Sequence, residues 1–221
     1  MKSPLYLESR PSVKGWESHF LGEFEERSPL TREEALKFSA SIQNAMLTCD
    51  CFRGILCLVP SGPFLKLLAQ HILKEGHRRV VEVGAGYGLI KIGFASTNFL
   101  DGVEYLASDI RPRNEEWIVE KLDQLEAVRK YHPSLVICSW PPLVEDPGNW
   151  PALWAKAQVR EYISIGPWPQ EYSRTGFNLR AGDLFYPLPG WKRTYLEELT
   201  HEAIDTYSGS SYVYSFSRRK S

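Results

Sequence analysis

Long apolar runs are missing from this sequence, and none is long enough to cross a bilayer. The first stretch, Met1 to Lys14, is polar, is broken by Pro4 and Pro11, and has no apolar core of the kind a secretory signal needs. Together these absences predict an intracellular protein, in the cytosol or the nucleus, with no membrane partner. Cysteine is scarce, at four residues. Cys49, Cys51 and Cys57 are spaced C-x-C-x5-C and Cys138 stands alone, which matches no zinc pattern even with His71 and His77 nearby. The expectation is buried free thiols and no metal site. Charge of one sign is missing too. The net charge is −1, so no broad basic field points to nucleic acid. The basic run Arg218-Arg219-Lys220 reads as a solvated tail. There is no internal repeat and no low-complexity segment.

What is present is the composition of a soluble globular domain. Apolar residues make up 43% and charged residues 24% of 221 positions. That length suits one large domain, or one domain with an N-terminal extension. The organising stretch is Val80-Val81-Glu82-Val83-Gly84-Ala85-Gly86-Tyr87-Gly88-Leu89-Ile90. A β-branched run enters three alternating glycines, and an apolar helical pattern follows. This reads as a buried parallel strand, a tight turn and a helix N-terminus. Glycines there take positive φ and let a ligand approach the main chain, and the free N–H groups of the helix favour an electron-rich group. The dinucleotide fingerprint G-x-G-x-x-G is not met: the third glycine comes one residue early and Leu89 stands in its expected place.

The rest of the chain alternates. Thr31 and Glu34 form a capping box for a helix running to about Thr48, with Leu36, Ala40, Gln43 and Leu47 on one face and Phe38, Ile42 and Met46 widening it. Gly54–Val59 reads as a short strand. Ser61 or Gly62 caps a helix that starts near Pro63, buries Leu65, Leu68, Ala69 and Ile72, and stops at Gly76. Strands are expected at Val80–Val83, Val103–Ser108, Ile118–Leu122, Ser134–Ser139 and Tyr162–Ile165. Helices are expected at Tyr87–Ser96, Pro112–Trp117, Gln124–Tyr131 and Ala152–Gln158. Alternation of this kind implies a parallel sheet with helices on both faces. Lys192–Leu199 and Ser211–Ser217 read as further strands, the second with Tyr212, Tyr214 and Phe216 facing one way.

An acidic residue, one apolar residue and G-x-G-x-G resemble motif I of the class I S-adenosylmethionine (SAM) dependent methyltransferases. The resemblance covers about residues 60 to 217. It implies an α/β, doubly wound, mostly parallel seven-stranded sheet with an antiparallel C-terminal hairpin, preceded here by an N-terminal helical extension. Residues 1–60 are expected as an arm and helical cap, and 61–221 as the SAM-binding domain. By resemblance, Glu82 holds the methionine part of the cofactor and the loop Gly84, Ala85, Gly86, Gly88 wraps its middle. Asp109, ending the second strand, accepts the ribose hydroxyls as an acid does in dinucleotide enzymes. Ile110 lies along the adenine and Asp123 near its amino group; as an isolated residue Asp123 is equally a helix N-cap.

Ser139-Trp140-Pro141-Pro142 resembles motif IV of amino-group methyltransferases, an Asn or Asp followed by Pro-Pro and an aromatic. Here Trp140 or Ser139 stands in the polar place and Leu143 in the aromatic one. Ser139, Trp140, Pro141 and Pro142 are the candidate acceptor-side residues, with Ser139 also touching cofactor. Trp140, Trp150, Trp154 and Trp168 are candidates for an aromatic wall, and Glu145 and Asp146 for a proton acceptor. The acceptor, a small molecule or a protein side chain, stays unnamed. Two other readings remain open: a catalytically silent member of the fold, and an NAD(P)-dependent enzyme.

Overall fold

The computed structural model describes residues 22–48, 58–110, 112, 118–139, 158–166, 191–205 and 211–218, with the backbone alone for 43–48. A short helix α1 (22–27) precedes α2 (Arg32–Thr48). Thr31 starts α2 as expected: its Oγ1 accepts from the Glu34 N–H at 3.2 Å, and Glu34 Oε2 accepts from the Thr31 N–H at 2.9 Å. The buried stripe, however, is Ala35, Phe38 and Ile42, while Leu36 and Ala40 face solvent. Both stripes have helical spacing. The one carrying Phe38 and Ile42 buries more apolar surface, against Phe24, Leu30, Val59, Tyr87 and Leu89.

Two residues, Leu58–Val59, form β1; Gly54 to Cys57 lie outside the described residues. Ser61 then caps α3 (Gly62–Lys74), its Oγ accepting from the Phe64 N–H at 3.2 Å. The buried face of α3 is Phe64, Leu65, Leu68, Ala69 and Ile72.

Seven strands follow in one sheet: β2 (Arg79–Val83), β3 (Glu104–Asp109), β4 (Glu120–Lys121), β5 (Leu135–Ser139), β6 (Glu161–Gly166), β7 (Trp191–Tyr195) and, after the two-residue β8 (Ile204–Asp205), β9 (Tyr212–Arg218). Their order is β4-β3-β2-β5-β6-β9-β7. The first five neighbours pair in parallel, and β9 runs antiparallel to both β6 and β7. Helices α4 (Leu89–Ala95) and α3 pack on one face with Val80, Leu135, Ile137 and Ile163. Helix α5 (Gln124–Tyr131) packs on the other with Val81, Val83, Val136 and Tyr162. The sheet is doubly wound and mostly parallel, as expected, and β5 lies beside β2 at its centre.

Two element assignments change. The expected strand Lys192–Leu199 ends at Tyr195, and α6 (Glu197–Glu202) follows. Leu196, Leu199 and Ala203 are spaced i, i+3, i+7 and all join the core cluster under α3, so packing selects the helical period. The chain then pairs β8 with β1. The expected third strand shrinks to Glu120–Lys121, because Ile118 and Val119 are buried beneath the turn before α4. The expected helices at Pro112–Trp117 and Ala152–Gln158 fall almost wholly outside the described residues.

Candidate functional site

The turn after β2 is the first component. Gly84, Gly86 and Gly88 have φ of 64°, 54° and 72°, the left-handed region that side chains rarely adopt. Their surroundings differ. A Cβ at Gly88 would lie 2.6 Å from Val119 Cγ2 and 2.9 Å from Ile118 Cγ2, so packing alone requires glycine there. At Gly86 a Cβ would meet nothing within 4 Å. Gly86 is therefore the member of the motif that leaves room for a ligand. The turn is held by the Ala85 N–H donating to the Ser108 carbonyl at 3.0 Å and the Gly88 N–H to that of Ala85 at 2.8 Å.

Parallel pairing brings three strand ends to this turn. Val83 is opposite Ser108 on β3 and Cys138 on β5, so Asp109 and Ser139 flank the level of Gly84. Strand alternation puts Glu82, Tyr105, Asp109 and Ser139 on one face. Asp109 Oδ2 accepts from the Gly86 N–H at 2.9 Å, tying the end of β3 to the open part of the turn. Glu82 is 2% exposed, and its Oε2 accepts from the Tyr105 hydroxyl at 3.1 Å. Burial pushes the Glu82 carboxyl up to about 8; the Tyr105 bond opposes this and the Asp109 charge adds to it. Burial and the charge of Glu82 push the Tyr105 phenol well above its ordinary range, so it stays a neutral donor. Ser139 Oγ is buried without a hydrogen bond of good geometry among the described residues, yet lies close enough to Glu82 to favour its ionised form. Burial also raises the Cys138 thiol to about 12. On α4, Lys91 donates to the Ile118 carbonyl at 2.9 Å, and burial lowers its ammonium.

The structure thus places Glu82, Gly84, Ala85, Gly86, Gly88, Asp109 and Ser139 together. Ile110 follows them with more than half its surface exposed. Asp123 is the N-cap of α5: its Oδ1 accepts from the Glu126 N–H at 2.8 Å, while Glu126 Oε2 accepts from the Asp123 N–H at 3.0 Å. Trp140, Pro141 and Pro142 lie outside the described residues, as do Glu145, Asp146, Trp150, Trp154, Trp168, Cys49, Cys51 and Cys57. Tyr105 and Lys91 are additions that sequence reasoning missed. Tyr105 shares its strand face with Asp109, but alternation alone does not show that it meets Glu82; the register does.

A second polar cluster, also unforeseen, sits at the opposite, amino end of the sheet. Glu161 opens β6 and is buried. Its Oε1 accepts from His71 Nε2 at 2.7 Å and from the Ser215 hydroxyl; its Oε2 is 2.8 Å from His77 Nε2. His77 Nδ1 lies 2.9 Å from Ser134 Oγ. Burial alone would raise Glu161, but the hydrogen bonds from His71 and then His77 outweigh it and hold the carboxyl at about 2. Among the described residues no group of three His, Cys, Asp or Glu is arranged to hold a metal ion. No described helix is long and apolar enough to cross a membrane.

No family model matches the sequence, and no curated protein does. Solved structures do overlap it. The small RNA methyltransferase HEN1 superposes with a TM-score of 0.47 at 12% identity, over 71% of this chain and 25% of that one. The chain thus spans a quarter of that protein's length. A cofactor-bound protein from MTB, Rv0187, gives 0.46 at 16% identity, over 85% and 91%. The N-methyltransferase NodS from Bradyrhizobium japonicum WM9 gives 0.42 at 11% identity, over 72% and 98%. Overlaps this loose carry nothing about activity. The strand order, with one antiparallel strand inserted between β6 and β7, makes this a mixed seven-stranded α/β sheet of the Rossmann-like kind.

Proposed function

We propose that this chain is a SAM-dependent methyltransferase. One observation carries the reading: Glu82, the open glycine turn and Asp109 converge at adjacent strand ends, with Asp109 hydrogen-bonded into the turn. In open α/β sheets that is where ligands bind. The residues fit the cofactor's chemistry. Glu82 offers an acidic group to the charged methionine part, and the space at Gly86 admits the middle of the molecule. Asp109 faces the ribose, Ile110 the adenine, and Asp123 the adenine edge. Gly84, Ala85 and Gly88 shape the turn. Bound SAM would supply a methyl already activated on a sulfonium, so the protein's share is alignment and exclusion of water.

Ser139, Trp140, Pro141 and Pro142 form the acceptor side in this reading. The prolines offer carbonyls without competing N–H donors, which suits an acceptor nitrogen. Residues 1–60 act as an arm and cap beside the SAM-binding domain of residues 61–221. The packing of Phe24, Leu30 and Phe38 with Tyr87 and Leu89 supports that role. The acceptor is a small molecule or a protein side chain. A catalytically silent binding module is the second reading, favoured by Ser139-Trp140 standing where motif IV carries Asn or Asp.

Calorimetric titration with SAM and with NAD tests the proposal, followed by a tritiated-SAM screen of acceptors. SAM should bind and NAD should not; the reverse would end it. Gly86→Asn keeps the left-handed backbone, which Asn tolerates, but fills the open space, so it should abolish binding without unfolding the protein. Asp109→Ala should weaken binding by roughly 1–3 kcal/mol, through unpaired ribose hydroxyls and a loosened turn. Binding without turnover on any acceptor would favour the silent module.

A further inference from the structure

We infer that Glu82 is a proton-exchanging counter-ion: its carboxyl is neutral before a ligand binds and releases its proton to solvent when the ligand's positive charge arrives beside it. The inference rests on the proposed SAM site and adds how that site recognises charge. Its basis is the arrangement around one side chain. Glu82 is 2% exposed at the end of a central strand. Its hydrogen bond from Tyr105, at 3.1 Å, is slightly longer than is usual for a hydroxyl donor, and no ion pair holds it among the described residues.

The groups facing it come from three neighbouring elements. From β3 come the Tyr105 phenol and the Asp109 carboxylate, the first favouring and the second opposing ionisation of Glu82. From β5 comes the Ser139 hydroxyl, which favours ionisation; its neighbour Cys138 lies on the opposite face of the sheet with Val83. From α4 comes the Lys91 ammonium, which favours ionisation but is bound to the Ile118 carbonyl and also drawn toward Glu120. Burial outweighs the favourable groups, and the carboxyl stands at about 8. A second carboxylate nearby makes the unloaded site intolerant of another negative charge, and a cation relieves both.

The step balances simply. The Glu82 O–H bond breaks, its proton goes to water or buffer, and the carboxylate formed faces the ligand's cation. Tyr105 keeps its own proton throughout and is a positioning residue: it holds Oε2 and leaves Oε1 as the oxygen that releases the proton. Binding is then linked to pH. Affinity should rise toward tenfold per pH unit below about 8 and level off above it, as the carboxyl ionises before the ligand arrives.

The test is titration of the full chain with SAM at pH 7 in phosphate and in Tris, which differ in ionisation enthalpy. The difference in observed heats should correspond to release of roughly nine-tenths of a proton per SAM bound, given a carboxyl at about 8. Glu82→Gln should remove that release. Tyr105→Phe, which deletes a group favouring the ionised form, should move the midpoint of the affinity–pH curve upward. Infrared difference spectra should show a protonated-carboxyl band in the ligand-free protein that SAM erases and Glu82→Gln lacks. SAM binding with no proton release and no such band would overturn the inference and leave the methyltransferase reading standing. Failure of SAM to bind at any pH would overturn both.

Discussion

Gly86 and Gly88 show how two identical residues in one motif serve different ends. Gly86 has space around it and its N–H is bonded to Asp109; Gly88 presses on Ile118 and Val119. Gly88→Ala should therefore act on stability. The left-handed backbone costs an alanine roughly 1–2 kcal/mol, and the collision with two branched side chains adds overpacking of about 1–3 kcal/mol. Urea denaturation of Gly88→Ala checks this; an unchanged midpoint would show that residues 118–119 yield freely. Glu82, Asp109 and Ser139 could be picked out in the sequence because each ends an apolar run that reads as a strand. Tyr105 could not, since a tyrosine in mid-strand is ordinary core until the register shows what it faces.

At the scale of elements, buried partners decided what local pattern left open. α2 turned Phe38 and Ile42 inward, and Glu197–Glu202 became helix, replacing the last three residues of the expected strand Lys192–Leu199. The cluster around Glu161 joins elements that no sequence pattern links: His71 on α3, His77 in the following turn, Ser215 on β9 and Ser134 before β5. Removing the charge should cost about 3–5 kcal/mol, because both imidazoles lose a buried anionic partner. The pH dependence follows from the direction of the shift. Glu161 is depressed to about 2 from an ordinary 4.5, so its contribution is present above 4.5 and lost as the pH falls toward 2. Chemical denaturation should show Glu161→Gln weaker than wild type at pH 7, with the gap closing between pH 4.5 and 2. A gap of constant size would mean the cluster is not ionic.

Over the whole molecule, Glu82 and Glu161, the glutamates buried among the described residues, work in opposite senses. Glu82 is raised to about 8, so its burial is tolerated at low pH and becomes costly as the pH rises from 4.5 toward 8, where the unfolded chain ionises and the folded one does not. Glu82→Gln should consequently be more stable than wild type at neutral pH. Its advantage should grow by up to about 1.4 kcal/mol per pH unit across that range. Denaturation at pH 5 and pH 8 measures it, and equal stability at both would show that Glu82 is solvated. A site that destabilises its own unloaded form fits a binding residue better than a structural one.

The sequence by itself determined the alternating architecture, the position of the glycine turn, the cap of α2, the start of α3 to within Ser61 or Gly62, and the carboxylates at the ends of β2 and β3. These are local properties: apolar period, cap chemistry and turn residues act within a few positions of themselves. The tertiary structure alone decided that Gly88 serves packing while Gly86 stays open, that Tyr105 reaches Glu82, that Asp109 braces the turn, and that Glu161 gathers two histidines. Each of these depends on strand register, and register follows from the simultaneous burial of both sheet faces, a condition that no short stretch of chain contains.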